Sequence, residues 1–151
     1  MADISAQAIK EIRDATGASL MMIKKALTEA SGDRARALEV LKQLGHDAAA
    51  KKGSRETHAG RVIAYVHSGD RVGVLVELRS ETDFVSRNDE FAALGKNIAM
   101  HIAATSPASV GELLTQPFIR DEHQTITELI EKASASFGEH LEVKQFVRYE
   151  L

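Results

Sequence analysis

Cysteine is absent from this sequence, and so is tryptophan. Without a thiol there is no disulfide framework, no thiolate zinc site and no cysteine nucleophile. Aromatic residues make up only 5% of the chain, so a core must be assembled from Leu, Ile, Val, Met and Ala. No apolar run approaches the roughly 18 residues of a membrane span. The start, Met1-Ala2-Asp3-Ile4, has no basic stretch leading into an apolar one, which predicts no signal peptide and a cytoplasmic location. Nor is there an excess of positive charge. A net charge of −3 argues against nucleic acid as a direct partner, because phosphate backbones are held by a field of Lys and Arg.

What is present is ordinary for a folded chain: 151 residues, 44% apolar and 27% charged, enough for one or two small domains. Residues 4–45 read as three short helices. Ala8, Ile9 and Ile12 share one helical face, and Thr16-Gly17 stops it. Ser19 is placed to cap a second helix with Leu20, Ile23, Leu27 and Ala30 on its apolar face. Ser31-Gly32-Asp33 breaks that helix, and Asp33 is placed to cap a third, which carries Leu38, Leu41 and Leu44 and has Gly45 at the position of a C-terminal cap. Between Leu44 and Val62 nothing apolar larger than Ala occurs, so 46–59 reads as a partly helical linker.

From residue 60 onward the period changes from 3.6 to 2. Val62, Ala64 and Val66 alternate with Arg61, Ile63 and Tyr65. Ser68-Gly69-Asp70 then turns the chain into Val72, Val74, Val76 and Leu78, with Glu77 and Arg79 on the other face. Asn88 is placed to cap a helix with Phe91, Leu94, Ile98 and Ile102 on its buried face, and Pro107 comes just past its end. The stretch 110–119 is weakly patterned. Thr125 and Glu128 form a capping box for a helix ending near Phe137-Gly138. The closing strand places Leu141, Val143, Val147, Tyr149 and Leu151 on one face and Phe146 on the other. The expected fold is α+β: a three-helix bundle over 1–45, a linker over 46–59, and a β-β-α-α-β core over 60–151 with a three-stranded antiparallel sheet.

Chemistry is harder to find. The six histidines, at 46, 58, 67, 101, 123 and 140, include no i, i+4 pair and no H-E-x-x-H pattern, so no metal site is predicted and they read as surface or packing residues. There is no nucleophile elbow, no phosphate loop and no dinucleotide fingerprint, hence no cofactor. Ser80, His67 and Asp83 are the residue types of a hydrolase triad, but Ser and Asp near a strand end are common. The unusual segment is Glu81-Thr82-Asp83-Phe84-Val85-Ser86-Arg87-Asn88-Asp89-Glu90. It is densely polar yet holds Phe84 and Val85 just ahead of a helix cap. Either both residues turn inward as a hydrophobic staple, or Phe84 is presented outward as an anchor for a partner's pocket. Pattern alone leaves that choice open.

Several runs carry a family resemblance. Val72-Gly73-Val74-Leu75-Val76-Glu77-Leu78, then Glu81-Thr82-Asp83-Phe84-Val85 and Arg87-Asn88-Asp89-Glu90-Phe91, closely resemble translation elongation factor Ts. So do Thr16-Gly17-Ala18, leading through Met21 to Lys24-Lys25-Ala26-Leu27, as well as 98–104 and 146–151. The resemblance implies a ubiquitin-associated-like N-terminal module and guanine-nucleotide exchange on elongation factor Tu, with no catalytic residues. It implies a partner-binding set of Glu81, Thr82, Asp83, Phe84, Val85, Arg87 and Asn88, with Leu20, Met21, Lys24 and Lys25 gripping from the bundle. It favours an outward Phe84. Many family members repeat the core subdomain, whereas this chain has one copy, and single-copy members can pair as homodimers. The connection between Pro107 and Gln116 is also short, and Met22 and Ile23 replace residues that are usually polar and Cys. Two other classes stay in play: an adaptor built on the bundle, and a small enzyme using His67 or His101 as a base.

Overall fold

A computed structural model describes residues 4–151, apart from the side chains of His46, Ala49 and Lys52. The residues expected to lack a signal peptide, at 1–3, and the side chain of His46 lie outside that description.

The N-terminal third is three helices, α1 (Ala6–Thr16), α2 (Leu20–Glu29) and α3 (Arg34–Lys52). Ser5 and Ser19 cap α1 and α2 by accepting the amides of Ala8 and Met22, and Asp33 accepts the Arg36 amide at the start of α3. Gly17 ends α1 in the left-handed conformation at φ 67°. The bundle buries Ile12, Ile23, Ala26, Leu27, Ala30, Ala37 and Leu41. Two expectations are corrected. Leu20, placed on the apolar face of α2, is 48% exposed, because it stands at the first position of the helix, ahead of the buried run Ile23, Ala26, Leu27 and Ala30. Gly45 does not stop α3, which continues to Lys52. Three residues on, Ala48-Ala49-Ala50-Lys51 are strong helix formers, and they outweigh one glycine.

The remainder is organised by β1 (Ala59–Val66), β2 (Val72–Ser80) and β5 (Glu142–Glu150), an antiparallel sheet in the order β1-β2-β5. The β1–β2 hairpin turns where the sequence indicates, with Gly69 and Asp70 at positive φ. One face of the sheet, with Ile63, Val74, Val76, Leu78 and Val143, packs against α5 (Asp89–Thr105) and α7 (Ile126–Phe137). On the helices the buried partners are Phe91, Leu94, Ile98, Ile102, Ile126 and Ile130. Helix α5 approaches the sheet closely at Gly95, where a Cβ would stand 1.8 Å from Ile63 Cδ1. The capping box at Thr125 and Glu128 forms, and Gly138 ends α7 at φ 73°.

The terminal strand departs from the single apolar face expected of it. The register slips between Glu77↔Gln145 and Leu78↔Val143, leaving Lys144 as an extra residue. A bulge of this kind moves every later side chain to the opposite face. Val143 and Phe146 therefore pack inward, while Val147, Tyr149 and Leu151 are 56%, 70% and 73% exposed.

The weakly patterned stretch is also more ordered than its sequence suggests. It forms α6 (Val110–Thr115) and a small hairpin of β3 (Pro117–Phe118) and β4 (Asp121–Thr125). Two residues of strand cannot display a period. The anchor is His101 on α5, fully buried, whose Nδ1 accepts the Ile119 amide at 3.3 Å. The proton is then on Nε2, which donates to Gln116 Oε1 at 2.9 Å.

Burial pushes the His101 pKa below its ordinary 6.5, with the Gln116 bond opposing. A depressed pKa means that the unfolded chain binds the extra proton first. The stabilisation is full above about pH 6.5 and is lost as pH falls from there toward the folded value. In melts between pH 7.5 and 5, the parent is expected to lose more stability than a His101→Gln variant. Parallel profiles would show that His101 does not couple folding to protonation.

Among the described residues, no helix is long and apolar enough to cross a membrane.

Candidate functional site

The polar segment after β2 leaves the sheet through Ser80, whose buried hydroxyl donates to the Thr82 carbonyl at 2.9 Å. A single helical turn comes next, α4 (Asp83–Ser86), closed by the Arg87 amide on the Asp83 carbonyl at 3.0 Å. Asn88 then starts α5 by accepting the Glu90 amide at 2.8 Å. One helical turn separates neighbouring side chains by about 100°, and the two apolar residues divide accordingly. Val85 is buried at 4%, beside Ser86 and close to Phe91 in sequence, whereas Phe84 is 85% exposed. The inward staple is therefore Val85 alone. Phe84 stands out from the surface on a short rigid element, with the exposed Asp83 beside it.

The base of the segment is held from the far end of the domain. Glu139, just past the cap of α7, accepts the amides of Glu81 and Thr82 on Oε2, each at 3.0 Å. Its Oε1 accepts the Thr82 hydroxyl at 2.5 Å. In return, Glu81 Oε1 accepts the His140 amide at 2.6 Å. That amide, ahead of the Arg55 guanidinium, holds the Glu81 carboxyl below its ordinary 4.5, although partial burial opposes it. Neither Glu139 nor His140 is marked in the sequence. Both lie 57 or more residues away from the segment they hold, and no periodicity or motif spans that gap.

The expected residues fall into two groups. Glu81, Thr82, Asp83, Phe84, Val85, Arg87 and Asn88 are contiguous on the β2–α5 connection, all exposed except the half-buried Glu81 and the buried Val85. Leu20, Met21, Lys24 and Lys25 lie on α2 and are all exposed, Met21 and Lys25 on the side away from Ile23, Ala26 and Leu27 and Leu20 at the N-terminal end of that buried stripe. Met21 is 81% exposed. Lys25 reaches Glu29 across one turn at 3.9 Å, a surface pair contributing little to stability.

The triad reading fails on geometry. Ser80 pairs with Ala59 at one end of the β1–β2 ladder, while His67 lies beyond Val66↔Gly73 at the other end. At about 3.3 Å per strand residue the two are more than ~20 Å apart. His101 does not face solvent as a base would; it is the internal latch of the β3–β4 hairpin. Among the described residues no group of three or more His, Asp and Glu is placed to hold a metal.

The segment that carries these features falls within the part of the chain, residues 2–112, that matches the family model for Elongation factor TS. This chain belongs to the elongation factor Ts family. A curated Elongation factor Ts of Desulforamulus reducens is 38% identical, the match covering 100% of this chain and 90% of that protein. The counterpart from Fervidobacterium nodosum is 40% identical over 99% of this chain and 98% of its own. That from Oleidesulfovibrio alaskensis is 38% identical over 100% and 99%. These alignments run to 194 or 196 positions against a chain of 151 residues, so the relatives carry residues with no counterpart here.

Proposed function

We propose that this chain is a guanine-nucleotide exchange factor that binds elongation factor Tu, promotes GDP release and so allows GTP to rebind during translation elongation in the cytoplasm. The observation that carries the proposal is Phe84, 85% exposed on a one-turn helix fixed by hydrogen bonds. A large aromatic left in water is the residue type that anchors interfaces once a partner covers it. In this reading Asp83 and Phe84 wedge between helices of the GTPase domain and displace the elements that hold Mg²⁺ and the GDP phosphates. Residues 1–45 form a second grip through Leu20, Met21, Lys24 and Lys25, joined by 46–59 to the exchange core at 60–151.

No bond chemistry is required. The factor binds the nucleotide-free GTPase more tightly than the GDP-bound form, and GDP must weaken its binding by the same ratio. A hundredfold coupling amounts to about 2.7 kcal/mol, within reach of one buried aromatic and a few polar contacts. The test is release of a fluorescent GDP analogue from elongation factor Tu. Acceleration by this protein supports the proposal. A folded protein that leaves the rate unchanged overturns it and returns the adaptor reading.

The single core copy is proposed to work as a homodimer joined through the open face of the sheet. That face carries Val62 and Val66 on β1, Leu75 on β2, and Val147, Tyr149 and Leu151 beside them, all at least 47% exposed. The bulge in β5 gathers the last three onto this side. An apolar face of this extent marks an interaction surface, and two copies related by a twofold axis would cover it sheet on sheet. Leu75 sits at its centre, between Ala64 and Val147. Sedimentation equilibrium is expected to give twice 16.4 kDa for the parent and 16.4 kDa for Leu75→Glu. A parent that is monomeric at working concentration removes the dimer.

A further inference from the structure

Thr82 occupies the N-cap of α4 but makes no side-chain capping bond. Threonine at this position ordinarily accepts an amide two or three residues on, a bond whose loss costs about 1 kcal/mol. Here the hydroxyl turns the other way and donates to Glu139 Oε1. With the Glu81 and Thr82 amides on Oε2, one carboxylate takes three donors from two consecutive residues. The loop supplying it is itself fixed twice over, by the Glu81 carboxylate on the His140 amide and by the Ser134 hydroxyl on the Glu139 carbonyl. A local rule broken in favour of a tertiary bond is most economically explained by a demand on where the chain points. Asp83 and Phe84 are the next two residues along the chain from Thr82.

We infer that Glu139 is the positioning residue of the wedge: its carboxylate fixes the exit direction of the backbone at Glu81 and Thr82, and so aims Phe84. The inference rests on the exchange reading. Glu139 acts through Phe84, by holding α4 in the orientation that meets the partner, so that no ordering is needed at the moment of binding. The bonds are anchored at the root of α4 and leave its tip free. Arg55, at the end of the linker, reaches the same Glu81 carboxylate at 3.5 Å, and Thr57 donates to Glu142 at 2.5 Å. The linker is thereby tied to the strand that begins just after Glu139.

The experiment is GDP-analogue release from elongation factor Tu with the parent, Glu139→Ala, Glu139→Gln, Phe84→Ala and the Glu139→Ala/Phe84→Ala double variant, each checked by thermal melting. Glutamine has nearly the same shape, with an oxygen for the two amides and an NH₂ that can donate to the Thr82 hydroxyl oxygen. Glu139→Ala is expected to exchange about tenfold more slowly than the parent, since small misplacements of a positioned group are costly. Glu139→Gln is expected to stay within about threefold of the parent. In the Phe84→Ala background, Glu139→Ala should add less than about a twofold further loss, the non-additivity expected of two residues serving one element. Should Glu139→Ala melt below the assay temperature, Glu139→Asp, which keeps the charge but withdraws the carboxylate by one methylene from the same three donors, is read in the same way. Parent-like exchange by a folded Glu139→Ala overturns the inference, and so does a loss that multiplies with that of Phe84→Ala. A parent that fails to accelerate release overturns the exchange reading, and the inference with it, in the first arm of the experiment.

Discussion

Phe84→Ala is expected to slow exchange by about 30-fold or more while leaving the melting temperature within a few degrees of the parent. The rate effect comes from the side chain's role as an anchor: truncating a residue that fills a partner's pocket typically costs about 2 kcal/mol or more. The stability effect comes from its surroundings. At 85% exposure, Phe84 has almost no intramolecular contact to lose. The α4 turn is closed by backbone bonds and by the Ser86 hydroxyl on the Asp83 carbonyl at 3.2 Å, none of which involves the ring. Surface substitutions of this kind usually fall within about 0.5 kcal/mol. Comparison of release rates at a temperature well below both melts reads the first effect, and the melts read the second. A variant that exchanges like the parent would place the anchor elsewhere, on the exposed side of α2. A variant that unfolds would mean that Phe84 is a core residue, against its exposure.

Much of this architecture was legible in the sequence because helices and strands bury one face at different periods. Ile98 and Ile102 on α5, and Val74, Val76 and Leu78 on β2, announce themselves in that way. Caps were equally readable at Ser19, Asn88 and Thr125, where a short polar side chain precedes an apolar repeat. The failures have physical causes as well. The bulge at Lys144 inverts the facing of β5 without changing its alternation, since a slipped register preserves the pattern and reverses its meaning. The β3–β4 hairpin is specified by a buried histidine from another helix, so nothing inside its own short strands could reveal it. At the candidate site, the composition of 81–90 was readable but the direction of Phe84 was not. The α4 turn has too few residues for a period, and the Glu139 carboxylate that sets its root comes from the far end of the domain.

Phe91→Ala is the counterpart, expected to unfold what Phe84→Ala leaves intact. The two phenylalanines lie seven residues apart, yet Phe91 is 0% exposed and stands among the largest fully buried side chains of the molecule. It occupies the first turn of α5, where the Asn88 cap and the buried Val85 bring the end of α4 onto the sheet. Truncation of a buried Phe to Ala loses the transfer free energy of the ring and leaves a cavity, together about 3–5 kcal/mol. Against a total of about 5–15 kcal/mol for a folded protein, that is a large share. With an m-value of about 1–3 kcal/mol per molar urea, the urea midpoint should fall by about 1 M or more. Exchange measured at low temperature on the fraction still folded should be reduced far less than in Phe84→Ala, because the ring at 91 faces the sheet and no partner reaches it. An unchanged midpoint would show that the ring packs less tightly than its burial implies. A folded Phe91→Ala protein that has lost exchange would show that the root of the wedge is held from the α5 side as well as by Glu139.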